Sequence, residues 1–94
     1  MKHTPQFCPM FNNEVRSKFK EIIEKRDEVA KKLGVKVLSA YSPTVEHRIF
    51  FIVNAPSQQA VESYFLETGY LFWNAVETLA QVQLLEDVIK RVVG

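Results

Sequence analysis

The segment HRIFFIVNA, residues 47–55, constrains this chain more than any other. Side chains alternate in direction along an extended backbone, so Ile49, Phe51 and Val53 point one way and Phe50 and Ile52 the other, and both sets are apolar. Such a strand has to be covered on both faces. Leaving Phe50 and Ile52 in water forfeits about 1.5–3 kcal/mol for each side chain.

Helices flank it. In NEVRSKFKEIIEKRDEVAKKL, residues 13–33, Val15, Phe19, Ile22, Ile23, Val29, Ala30 and Leu33 recur at helical spacing with one gap at Arg26. Asn12 or Asn13 can cap its start and Gly34 can close it. Glu14/Lys18, Glu21/Lys25, Asp27/Lys31 and Glu28/Lys32 sit four apart on a solvated face. VKVLSAY, residues 35–41, alternates Val35 and Val37 with Lys36 as a half-buried strand does, and Ser42-Pro43-Thr44 turns the chain. Pro56 and Ser57 open a second helix through QQAVESYFLET, whose apolar face carries Ala60, Val61, Tyr64 and Phe65 and which Gly69 stops.

The last third fits two patterns. Asn74-Ala-Val-Glu77 resembles a capping box, and Ala75, Leu79, Val82, Leu85, Ile89 and Val92 suit one long helix. Val76, Thr78, Ala80 and Val82 equally alternate as a strand before a short helix from Leu85 to Val93. Both helices need a shared sheet to bury against. The order of elements therefore selects a strand over 75–83 and completes a split βαβ arrangement, with Met1–Thr4 as a short first strand ended by Pro5.

Ninety-four residues make one domain, 1–94. A domain this small buries only about 60–65% of its unfolded surface, so partner surface is an expected source of stability. One cysteine excludes an internal disulfide and points to a reducing cytoplasm. Twelve basic against eleven acidic residues leave a net charge of +1, too little to recruit nucleic acid or an anionic membrane. No apolar run approaches the ~20 residues of a membrane span.

The βαββαβ order, GVKVLSAY after the first helix, the EHRIFFIVNAPSQQAVESYF run and WNAVE together resemble the ferredoxin-like dimeric α+β barrel superfamily. More narrowly they resemble its small prokaryotic members of unassigned function that begin with H-x-P-x-x-C-P, here His3 to Pro9. The resemblance covers nearly the whole chain. It implies an α+β fold with a four-stranded antiparallel sheet, a short C-terminal helix, and a homodimer or higher homo-oligomer whose sheets pack face to face as an α/β barrel. Chemistry does not follow, because that superfamily includes enzymes, haem-handling proteins and inert binders.

In a sheet of order 4-1-3-2 the end of strand one lies beside the beginnings of strands three and four. His3, Cys8, Glu46, His47, Trp73, Asn74 and Glu77 are then expected at one sheet end, around a pocket mouth. His3, His47 and Cys8 can supply nitrogen and soft sulfur donors to Zn, Fe, Cu or Ni, although no CxxC, HExxH or MxCxxC spacing marks a metal site. The plainer reading makes the two histidines partly exposed strand-end residues and Cys8 a small buried hydrophobe. Cys8 as a reactive thiol is a third. Glu46 and Glu77 are candidate acid and base, with a solvated rim as their plainer role. Trp73, Asn74 and Tyr70 are candidates to line a small-molecule pocket, the rings serving equally in a core or dimer interface. The function expected is a small-molecule- or metal-binding homo-oligomeric domain, with a structural or regulatory oligomerisation module lacking catalysis as the alternative. RNA recognition shares the βαββαβ order, but RIFFIV lacks the glycines and exposed aromatics of an RNA-binding strand.

Overall fold

The computed structural model describes all residues, Met1–Gly94. Helix α1 spans Asn13–Leu33. The Asn12 side chain accepts a hydrogen bond from the Val15 N–H at 3.0 Å, and Gly34 ends the helix in the left-handed conformation at φ 71°. Strand β1, Lys36–Tyr41, pairs antiparallel with β2, Phe50–Asn54. Helix α2 covers Gln58–Thr68, with Ser57 accepting from the Ala60 N–H at 3.1 Å and Gly69 closing it at φ 101°. Helix α3 is Leu85–Val93. Single turns of 3-10 helix lie at Pro5–Phe7, Thr44–Glu46 and Tyr70–Phe72.

The four-stranded ferredoxin-like sheet expected from sequence does not form: the sheet has two strands. Its other members are reduced to single antiparallel bridges, Lys2 to Arg48 on one side and Lys2 to Ala75 on the other. Lateral order matches the expectation, and extent does not. Pro5 has no N–H to extend a ladder and instead begins a 3-10 turn, so the first strand ends almost where it starts. Residues 76–83, expected to be a strand, lose their neighbour at the same point. The two bonds between Lys2 and Ala75, both 2.8 Å, are all that joins them. With two strands there is no layer from which to build a barrel. The strand expected at 47–55 is likewise shorter, because His47 takes a left-handed conformation after the Thr44–Glu46 turn. Asn74 caps nothing, and none of the four expected ion pairs on α1 forms; Lys18–Glu21 at 3.7 Å and Lys32–Glu67 at 2.7 Å are found instead.

One core joins α1, α2 and the inner sheet face. Val15, Ile22, Val35, Val61, Tyr64, Phe65, Tyr70 and Trp73 are buried together, and Ile49, Phe51 and Val53 pack against them. The expected parity of β2 holds, since Phe50 and Ile52 point to the other side and are about half exposed. There they join Tyr41, paired across from Phe50, and Leu38, the extra residue where the register shifts between Val37 and Ser39. Nothing covers this outer face. No buried residue lies beyond Asn74, and past Leu79, which packs against the core, residues 80–94 form an arm outside it; the molecule measures 54 × 31 × 17 Å. No helix is long and apolar enough to cross a membrane.

Candidate metal centre

The opening segment is held by hydrogen bonds rather than by a strand. Cys8 follows the Pro5–Phe7 turn with its N–H on the Pro5 carbonyl, and its own carbonyl accepts from the N–H groups of Phe11 and Asn12 at 3.0 and 2.9 Å. The Asn12 amide donates to the Gln6 carbonyl, while the Arg16 guanidinium donates to the carbonyls of Pro9 and Met10, each at 2.9 Å. These bonds lash the loop to the first turn of α1 and bury the thiol, which is only 4% exposed.

His3 is fixed by its backbone and by its ring. Its N–H donates to the His47 carbonyl at 3.0 Å. Nδ1 lies 2.9 Å from Asn74 Oδ1, and the Asn74 amide nitrogen donates to the Tyr70 carbonyl at 3.1 Å. The second bond decides the first. It orients the Asn74 amide with oxygen toward the imidazole, so His3 Nδ1 carries the proton and Nε2 keeps its lone pair. That Nε2 is buried without a partner, as is Nδ1 of His47. A buried polar atom left unpaired costs about 1–3 kcal/mol.

His47 is the one non-glycine residue with positive φ, at 56°. This conformation costs on the order of 1–3 kcal/mol and persists where the surroundings hold it. It brings the His47 ring edge-on to that of His3, with centroids 5.4 Å apart, and Trp73 closes the other side of His3 at 5.0 Å. The result is a cluster in which the ligand atoms of His3, Cys8 and His47 all lie within 4.8 Å of one another. Burial lowers the pKa of His3 from its ordinary value; the bond to Asn74 opposes this and the neighbouring His47 adds to it. A neutral imidazole is the metal-binding form.

His3, Cys8 and His47 line a cavity of about 820 Å³ that runs over the inner sheet face between Phe19, Ile49, Phe51 and Tyr70. Burial pushes the Tyr64 phenol up to about 12 and raises Tyr70 as well, so neither lining phenol serves as a base near neutrality. Of the expected pocket residues, Tyr70 and Trp73 face this cavity and Asn74 acts behind it on His3. Glu46 and Glu77 do not reach it. They border a shallow depression on the far side of the two histidines, where Glu77 pairs with Arg48 at 3.5 Å. Sequence reasoning missed Asn74 as the orienter of His3, a contact across 71 positions that no local spacing signals. It also placed Asp27 and Lys31 on a solvated face and gave Arg26 and Lys36 no role at a site, and all four are found along the cavity. No family model matches the chain, and no curated protein or solved structure matches it either.

Proposed function

We propose that the chain is a transition-metal-binding domain, with His3 Nε2, a ring nitrogen of His47 and Cys8 Sγ as donors and an open coordination position facing the cavity. The observation that carries this is the His3–Asn74–Tyr70 relay, because it presents a lone pair at a buried atom that the protein itself leaves unused. Metal-ligating histidines characteristically donate their other N–H to a carbonyl or carboxylate oxygen. Two imidazoles and a thiolate suit Zn, Cu, Fe or Ni and disfavour Mg and Ca, which take oxygen donors. Three protein donors with a fourth position free is the pattern of sites that admit a small molecule to the ion, and the cavity is of a size that holds one. A bound ion would supply Lewis acidity at that position; the chain's part is to orient the donors and exclude water behind them with Trp73.

Titration of the metal-free chain with Zn²⁺, and with Co²⁺ as a coloured substitute, tests the reading. One equivalent binds at micromolar protein, and the Co²⁺ form shows thiolate charge-transfer absorption that Cys8→Ser removes. Asn74→Ala leaves all three donors in place and weakens binding about 10- to 100-fold, the usual effect of losing a partner behind a ligand. A chain that takes up no stoichiometric ion sinks the proposal.

A further inference from the structure

We propose that residues 80–94 are exchanged between two copies of this chain, with α3 of each copy seated on the outer sheet face of the other. This does not rest on the metal site.

A helix as short as α3 is not stable in water by itself, so its stability has to come from burying an apolar stripe. Leu85, Val88, Ile89 and Val92, spaced i, i+3, i+4 and i+7, form such a stripe. Within one chain it is left largely unseated: Leu85 is 68% exposed, Val92 78% and Ile89 42%, and only Val88 is half-buried. The outer sheet face has the opposite need. Leu38, Tyr41, Phe50 and Ile52 make an apolar patch with no helix over it. Each chain therefore carries one unfilled seat and one unseated helix.

Surface area selects a second copy as the occupant. A compact monomer of 10.9 kDa exposes about 5,600 Å². This chain exposes 7045 Å², a surplus of about 1,400 Å² that exceeds the ~800 Å² each partner contributes to a standard interface. The radius of gyration, 15.2 Å against about 12 Å for a compact chain of this length, reports the same extension. Reciprocal exchange fills both seats with a two-fold axis and leaves no apolar end free to polymerise. Leu79 packs on the core of its own chain, and the connecting residues 80–84 beyond it span up to about 17 Å when extended, enough to reach a neighbour packed alongside. The segment that leads to them leaves from Ala75, on the side of Lys2 opposite Arg48 and β2, and so starts at the edge away from β1. A net charge of +1 sets no barrier between copies.

The full-length chain is measured by light scattering after size exclusion at micromolar concentration, and the mass expected is twice 10.9 kDa. Ile89→Asp spoils the helix stripe and Phe50→Asp spoils the seat, so each variant alone has the mass of one chain, with circular dichroism and Trp73 fluorescence showing an intact core. Mixed in equal amounts, the two recover a two-chain species at higher concentration, because the intact arm of the Phe50→Asp chain fits the intact seat of the Ile89→Asp chain. If Ile89→Asp fails to fold, Val92→Asp carries the same test. A single-chain mass for the unsubstituted protein overturns the proposal, as does a variant that stays dimeric or a mixture that stays apart. Persistence of the Ile89→Asp dimer would mean that sheet faces meet directly without the arm.

Discussion

Truncating Ile22 to alanine is expected to lower the free energy of unfolding by about 2–5 kcal/mol, the range for emptying a filled apolar site. Ile22 is 1% exposed and among the largest fully buried side chains. Its Cγ1 lies against the turn at Gly69, so it holds α1 to the end of α2. The core has few members and one thin sheet, so little can move in to fill the space. Domains of this size have about 5–15 kcal/mol in total, and each kcal/mol lost lowers the melting temperature by about 4–8 °C. Urea unfolding followed by Trp73 fluorescence measures it. Ile23→Ala is the control: that side chain is 46% exposed, and its truncation costs far less than that of Ile22.

In the proposed site, replacing His3 with alanine removes the donor whose lone pair the Asn74 contact orients and leaves two donors. Affinity for Zn²⁺ is expected to fall more than about 100-fold, beyond the range for losing an orienting partner. Competition with a chromophoric chelator reads the loss. Glu46→Gln supplies the contrast, since Glu46 is exposed and stands outside the cavity, and it leaves affinity unchanged. Equal losses in both variants would place the ion in the shallow depression by Glu46 and Glu77 instead.

The helices and their ends could be read from the sequence because their signals are local. Asn12, Ser57, Gly34 and Gly69 act within a few residues of themselves, and the structure uses each as its type requires. Strand pairing is different in kind. Val76, Thr78, Ala80 and Val82 alternate as a strand does, but a strand exists only beside another, and Pro5 removes the neighbour. Exposure was hidden for the same reason. Ile22 and Ile23 look equally apolar in sequence, and only the position of α2 and Gly69 separates a buried side chain from a surface one. The gathering of His3, Cys8 and His47 followed from the lateral order 75, 2, 48, which survives as single bridges although the layer does not. Glu46 and Glu77, the candidate acid and base, border the shallow depression rather than the cavity, because a list of strand ends carries no information about which way a side chain turns.

The left-handed backbone at position 47 makes one residue unusually easy to take apart. Glycine adopts that conformation at no steric cost, so His47→Gly deletes the ring while the turn keeps its course. The vacated space adjoins an open cavity and is accessible to small solutes. Free imidazole added to the glycine chain is expected to restore uptake of the ion in a saturable manner, whereas pyrrole, a five-membered ring of the same size without a basic nitrogen, does not. Complementation by a diffusible side chain would separate what the ring contributes from what the fold contributes.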